Sequence, residues 1–461
     1  MGAAHSNVML KLFLIGFLVL ALMIPMFLTS LLVEDRKGRH AEAAGTIHQQ
    51  WGGPQRVAGP LLTLPYDWVG RDAEGKAIVR RQVLRVLPED LTVDGTLEPE
   101  IRRRGNFETP VYLGQLKLSA SFRLPDPHRF QIDPERIHWQ EATLRFGLSN
   151  LRGLDTSPVL TWQGQPLELE AESDPSGPFP SALVARLDAL PLFAQASPET
   201  RPDLETGPQR VELDLAVRGA SRLAFLPLGR ETRVSLSAPW GNPSFQGAFL
   251  PRASEIGDQQ FEAEWSIPHF ARSFPQTWID RGDPQPFDTS TFGVELLFPV
   301  DFYQQVSRCT KYALLFLALT FGVFFLFELL QGLRIHPVQY GMVGLAMCLF
   351  YLLLLALAEH LGFATAYLVA ALATAGLITT YSATVLRTRG RAATLGASLG
   401  VLYGVLFVLV QLQTYALLVG AVSLFLALAA AMALTRNVDW YDLGRGRRAS
   451  PDGLDPVAEP G

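Results

Sequence analysis

The sequence predicts a membrane protein with one N-terminal transmembrane helix, a large external all-β domain in two lobes, and a C-terminal block of five transmembrane helices. Charged residues make up 18% of the 461 positions, where soluble chains run near ~25%. Six apolar runs, at 12–33, 312–333, 338–358, 361–386, 392–410 and 414–434, are each long enough to cross a bilayer at about 20 residues. Between the first two runs, 34–311 holds 27 of the 32 prolines, a density that disfavours long helices, and the pattern there alternates as strands do.

One charge, Glu328, lies inside the six runs. The charge of the rest resembles that of an ordinary soluble domain, so a membrane protein carrying one large watery domain is the reading. A fully soluble enzyme, a disordered chain and a strongly basic nucleic-acid binder are excluded, the last by a net charge of -5 and a pI near 6.0. The first run reads as an anchor rather than a cleaved signal. Ala41-Glu42-Ala43 has the small-residue form of a cleavage site, but Leu12 to Val33 exceeds a signal core of about 7–15 residues, and Glu34-Asp35-Arg36-Lys37 intervenes. Cys309 and Cys348 are placed too far apart along their segments to pair, and 34–308 has no cysteine, so the external domain needs no disulfide.

Basic residues are held on the cytoplasmic face, which orients the chain. Arg387-Thr388-Arg389-Gly390-Arg391, Arg334 in the link 334–337, and Arg436, Arg445, Arg447 and Arg448 in the tail mark three inner exits. Glu359-His360 and Gln411-Leu412-Gln413 carry no Lys or Arg and fall outside. Both termini are then cytoplasmic. The expected domains are 1–33 (N-terminus and anchor), 34–311 (β-rich, with lobes at about 45–170 and 211–305), 312–434 (five helices) and 435–461 (a disordered tail).

In the external domain Leu91, Val93, Gly95 and Leu97 share one face, as do Leu116, Leu118, Ala120 and Phe122, then Val211, Leu213, Leu215 and Val217, then Val234 and Leu236. Pro/Gly turns between such strands point to a sandwich or barrel. The pattern fails at Asp174-Pro175-Ser176-Gly177-Pro178-Phe179-Pro180 and at Ser197-Pro198-Glu199-Thr200-Arg201-Pro202, so 171–210 reads as a connection with a short helix at 181–193.

Gly396-Ala397-Ser398-Leu399-Gly400 matches the serine-hydrolase elbow in form, yet it lies inside an apolar run rather than on a strand-to-helix turn. Gly396, Gly400 and Gly404, four residues apart, read better as a packing stripe that lets helix backbones approach, with Gly341, Gly344, Ala366, Ala370 and Thr374 as further close contacts. The histidines are scattered and no zinc or phosphate-loop motif is present, so no metal, cofactor or catalytic residue is assigned. Glu328 is a functional candidate by position, with structural pairing, to a basic group such as Arg387, as the competing reading. Arg102-Arg103-Arg104 reads as a charged, solvated strand edge, with a contact to anionic lipid or glycan as the alternative. Arg308, Lys311, Glu359 and His360 fall at one membrane face, where Glu359 reads as a loop charge in water, with a clasp to Arg308 or Lys311 that ties the β domain to the helices as the competing reading.

The strings Phe298-Pro299-Val300-Asp301, Tyr303-Gln304, Arg308, Lys311-Tyr312-Ala313, His336-Pro337-Val338-Gln339-Tyr340, Leu349-Phe350-Tyr351-Leu352-Leu353, Glu359-His360-Leu361-Gly362-Phe363 and Asp439-Trp440-Tyr441 resemble the CreD family of bacterial inner-membrane proteins. Trp51-Gly52, Gly59-Pro60, Pro65-Tyr66, Trp240-Gly241-Asn242-Pro243-Ser244-Phe245 and Phe249-Leu250-Pro251 extend the likeness upstream. Asn242 stands where the family string has a histidine, which counts against a metal or catalytic role there. The resemblance implies an inner membrane, a periplasmic β domain, and a non-enzymatic part in envelope integrity and stress response, with altered tolerance of colicins and β-lactams. A channel or transporter subunit is the alternative, and a membrane-embedded hydrolase a third reading. The expected partners are the lipid bilayer and periplasmic or inner-membrane proteins, with no nucleic acid. The candidate polar residues are Glu328, Arg334, His336, Glu359, His360, Arg308 and Lys311.

Overall fold

The computed structural model describes residues 5–71, 76–105, 107–174, 177–194, 208–281, 285–297, 302–331, 335–386, 388–412 and 415–436. The chain forms two compact units, Met1–Arg39 with Val300–Gly461, and His40–Pro299. The sequence puts these boundaries at 33/34 and 311/312. The expected disordered tail, from 437 onward, and Arg334 lie outside the described residues.

In chain order the elements begin with helix α1 (His5–Trp51) and strands β1 (Gln55–Arg71), β2 (Ala77–Val86), β3 (Asp90–Arg104), β4 (Phe107–Phe122), β5 (Thr143–Leu148), β6 (Val159–Trp162), β7 (Gln165–Leu167), β8 (Glu170–Ser173) and β9 (Ser181–Arg186). A short helix α2 (Pro191–Ala194) precedes β10 (Gln209–Ala220), β11 (Arg222–Phe225), β12 (Glu231–Ala238), β13 (Pro243–Gly247), β14 (Ala253–Ile256), β15 (Phe261–Pro268), β16 (Thr277–Asp280) and β17 (Phe292–Leu296). Helices α3 (Phe302–Lys311), α4 (Ala313–Gln331), α5 (Pro337–Leu361), α6 (Phe363–Leu386), α7 (Arg389–Gln411) and α8 (Ala416–Thr435) follow.

Among the described residues the β unit is a nine-stranded sheet, β13-β17-β11-β1-β5-β9-β8 with β2 on β1 and β16 on β2, and an eight-stranded sheet, β14-β15-β12-β3-β4-β10-β6-β7. The alternation read from the sequence is the buried face: Leu91, Val93 and Leu97 are at most 2% exposed, and Phe122 is fully enclosed. Gly95 belongs to that face because a Cβ there would sit 2.7 Å from Leu116 and 2.9 Å from Leu236, leucines of the two neighbouring strands. One hydrophobic core joins both sheets. Each large apolar side chain enclosed in it contributes about 1.5–3 kcal/mol.

The two sheets do not correspond to the sequence halves 45–170 and 211–305. Parallel pairing of β1 with β11 and of β3 with β12 sets second-half strands beside first-half ones, so the halves interleave. The helix expected at 181–193 is also corrected. Ser181–Arg186 is strand β9, paired with β5 and β8, and helix is confined to Pro191–Ala194. Alternation is masked there because Ala182, Leu183, Val184 and Ala185 are all buried, as in a strand covered on both faces.

Two buried arginines of the β unit are held by local acceptors. Arg85 lies 2.9 Å from Asp280 and donates to Thr63 at 2.8 Å. Arg272 donates to the carbonyls of Pro227 (2.9 Å) and Leu228 (2.7 Å), and burial pulls its guanidinium down to about 10, still protonated at neutral pH. The Arg102–Arg104 segment is exposed at the end of the β3–β4 hairpin, a solvated strand edge where β3 pairs with β4 alone because its pairing with β12 ends at Thr96. Arg102 pairs with Glu100 and covers the Trp51 ring at 4.3 Å, and Arg103 pairs with Glu108.

Among the described residues, five helices are long and apolar enough to cross a membrane, and a sixth crossing is counted if α3 and α4, bent by 49°, form one broken span. The ten-residue α3 is absent from the sequence reading. Its mixed composition hides a buried stripe of Tyr303, Val306 and Cys309 at three-residue spacing. Both cysteines are free and buried. The Ala41-Glu42-Ala43 string lies within the helical run of α1.

Candidate functional site

The polar side chains of the helical unit gather at two levels. At the first, the carboxylate of Glu328, near the end of α4, forms an ion pair with Lys11 of α1 and accepts a hydrogen bond from the Tyr340 hydroxyl of α5 at 3.2 Å. The backbone N–H of Ile335 also donates to it, at 3.4 Å, and Lys11 donates to the Ile335 carbonyl at 2.8 Å. Side-chain exposure is 23% for Lys11 and 12% for Glu328, so the pair is largely withdrawn from solvent. His336 beside it caps α5. Its Nδ1 accepts from the Val338 N–H at 3.3 Å while its own backbone N–H donates to Gln339 Oε1 at 3.1 Å, a reciprocal capping box. Arg334 and Arg387, the basic groups named from the sequence around Glu328, lie outside the described residues.

At the second level, Glu359 near the end of α5 faces Arg36 of α1 at 3.6 Å and accepts from the Tyr303 hydroxyl of α3 at 3.4 Å. The loop charge in water and the clasp to Arg308 or Lys311 are both corrected: the Glu359 side chain is 13% exposed, and among the described residues its ion pair is with Arg36. Arg308 is half-buried on α3 and Lys311 exposed at its end. The stripe that packs α3, Tyr303–Val306–Cys309, brings the tyrosine to Glu359, and the two cations lie on other positions of the helix. His360 is exposed.

Lys11, Arg36, Tyr303 and Tyr340 are the participants the sequence reading missed. The available signal was positional, since Lys11 immediately precedes the first apolar run and Arg36 follows it by three residues. Lys11 and Arg36 are about 37 Å apart along α1, and Tyr340 and Glu359 about 28 Å apart along α5, at 1.5 Å per residue. Those spans bracket a hydrocarbon layer of about 30 Å.

Between the levels the helices meet through small residues. A Cβ on Gly344 of α5 would lie 2.2 Å from Leu22 of α1, and one on Gly396 of α7 2.9 Å from Thr379 of α6. Ala366, Ala370 and Thr374 are buried as the sequence reading expects. Gly400 and Gly404 differ from Gly396: a Cβ on either meets nothing within 4 Å, and both border an apolar groove of about 390 Å³ between α6 and α7. They continue the helix stripe of Gly396, but there the space between α6 and α7 is left open as the groove. Ser398 is helical and donates to the Thr394 carbonyl at 3.0 Å. Among the described residues no three His, Cys, Asp or Glu side chains converge in a way that could hold a metal.

Comparison with known proteins bears on this arrangement over nearly its whole length. The family described as "Inner membrane protein CreD" matches residues 7–441. The chain belongs to the CreD family. It is also 32% identical over 429 residues to "Inner membrane protein CreD" of Escherichia coli (strain K12), an alignment covering 92% of this chain and 91% of that protein. With several apolar helices, this CreD-family chain is a multi-pass inner-membrane protein. The strings that carry the resemblance take structural roles where they are described. Gly59, at φ +127°, sits at the bulge where β1 shifts register against β5, and a Cβ there would meet Phe146 Cα at 2.9 Å. Trp240 donates to the Leu297 carbonyl at 3.1 Å, Asn242 gives its backbone carbonyl to Leu297, and Phe245 packs edge-on against Trp265. Residues 298–301 and 439–441 lie outside the described residues.

Proposed function

We propose that this chain is a non-enzymatic member of the CreD family that supports envelope integrity and the envelope stress response, with effects on colicin and β-lactam tolerance. In this reading the β domain is periplasmic and contacts a periplasmic or inner-membrane partner, and both termini are cytoplasmic. One observation carries the reading: Glu328, the single ionisable group within the sequence-defined apolar runs, is committed to Lys11, Tyr340 and a backbone N–H. A carboxylate tied on three sides acts as a fastener between helices. An ion or proton pathway needs a group free to exchange its charge and usually several of them.

The test of function is deletion of the gene followed by dye leakage, colicin tolerance and β-lactam survival. Changed phenotypes restored by the wild-type chain and by Glu328→Gln support a structural role, and three unchanged phenotypes defeat the proposal. Ion flux in liposomes carrying the purified chain, abolished by Glu328→Gln, favours a channel or transporter subunit instead. Orientation is tested by a membrane-impermeant thiol reagent on intact cells. Arg389→Cys and Arg445→Cys are expected to resist it and Ser176→Cys to react, against a low background because Cys309 and Cys348 are buried.

A further inference from the structure

A groove of about 560 Å³ runs between α4, the start of α7 and the end of α8. Val323, Leu326 and Phe327 of α4 and Leu434 of α8 give it apolar walls, and α7 contributes Gly390, Arg391, Thr394 and Ser398. The two α7 hydroxyls are already committed. Thr394 donates to the Gly390 carbonyl at 3.1 Å and Ser398 to the Thr394 carbonyl at 3.0 Å, so neither offers a free donor to a ligand. That leaves Arg391 as the charged group of the lining, half-buried and without an ion pair among the described residues.

Among the described residues of these helix ends it meets no acidic partner. From 388 to 436 there is no Asp or Glu, and Glu328, next to Phe327, is held by Lys11. Arg436, at the end of α8, adds to the positive charge. A cationic rim over hydrocarbon walls matches an amphiphile that is anionic at one end. We propose that this groove seats one anionic phospholipid, its phosphate paired with Arg391 and an acyl chain lying along Val323, Leu326, Phe327 and Leu434. A zwitterionic lipid has the same phosphate and chains, but its ammonium meets Arg391 and no carboxylate among the described lining residues, so the net charge of the headgroup sets the preference.

The experiment uses the full-length chain in a non-ionic detergent, titrated with dioleoyl-phosphatidylglycerol, dioleoyl-phosphatidylethanolamine or inorganic phosphate, with bound lipid read by native mass spectrometry and protection by thermal unfolding. Phosphatidylglycerol is expected to bind about fivefold more tightly than phosphatidylethanolamine, and Arg391→Gln to bring the ratio near one. Gly390→Leu, where a Cβ meets no atom within 4 Å, is expected to fill the groove and weaken both lipids. Equal binding of the two lipids by the wild-type chain, or a preference unchanged in Arg391→Gln, overturns the proposal. So does protection by phosphate equal to that by phosphatidylglycerol, which would mark an anion site without a lipid. A cross-linked dimer through Leu434→Cys that lipid does not disperse would assign the groove to a second copy and overturn it as well. Should a variant fail to fold, the wild-type comparison of the three probes decides alone.

Discussion

Arg36 of α1 lies 3.6 Å from Glu359 of α5, a pair separated by more than three hundred positions in the chain and 13% exposed on the carboxylate side. Tyr303 donates to the same carboxylate, so α1, α3 and α5 meet at one group. Reversing its charge by Glu359→Lys sets two cations together and strips the tyrosine of its acceptor. The variant is expected to unfold earlier in detergent, and Arg36→Glu in the same chain to restore about 0.5–1 kcal/mol. Arg308→Glu and Lys311→Glu are expected to give no such rescue. A double-mutant cycle on thermal or denaturant stability measures this, and equal rescue from α3 would return the clasp to Arg308 or Lys311.

The Lys11–Glu328 pair is expected to respond differently to single and double removal. Lys11→Met leaves a partly buried carboxylate without its cation, and Glu328→Met leaves an ammonium beside apolar helices, each at about 1–2 kcal/mol. Removing both replaces the pair with apolar side chains of similar length and is expected to cost less than either single change. Thermal unfolding of the three variants measures it, and additive losses would mean that the two charges do not interact.

The helices and most strands were legible because their signals are local. An apolar run such as 338–358 needs no partner to be recognised, and Leu91-Val93-Leu97 alternates with solvent-facing residues on the same strand. What escaped depends on distant partners. Nothing near Glu328 in the sequence names Lys11, 317 positions away, and nothing near Glu359 names Arg36. Strand β9 escaped because burial on both sides erases alternation, and α3 because ten residues of mixed polarity look like the close of a β domain. Glycine spacing identified residues able to pack closely, but only the neighbouring helix decides which of them do.

Gly344 and Gly400 separate those two cases. Gly344→Leu drives a side chain into the buried Leu22 of α1, whose Cδ1 lies 2.2 Å from the ideal Cβ position, and toward Phe321 at 3.0 Å. It is expected to cost about 1–3 kcal/mol and to loosen α1 from α5. Gly400→Ala meets open space and is expected to be neutral or to stabilise α7 by up to about 1 kcal/mol, from the higher helix propensity of alanine. Thermal stability with disulfide trapping between cysteines placed on α1 and α5 distinguishes the outcomes. Equal losses at both positions would restore Gly400 to the packing stripe.

Gly95 offers the corresponding test in the β unit. It lies on β3 between Leu116 of β4 and Leu236 of β12, and an added Cβ would come within 2.7 Å and 2.9 Å of their methyl groups. The leucines fill the space the glycine leaves, so Gly95→Ala overpacks an enclosed site and is expected to destabilise the domain by about 1–3 kcal/mol. If crowding is the cause, shortening one neighbour relieves it: Gly95→Ala with Leu116→Val is expected to be more stable than the sum of the single effects predicts. If the cause is a backbone that only glycine adopts, the losses add. Denaturant unfolding of the full chain, followed by tryptophan fluorescence and limited proteolysis, tells the two apart, and additivity would remove packing against Leu116 as the reason that position 95 is glycine.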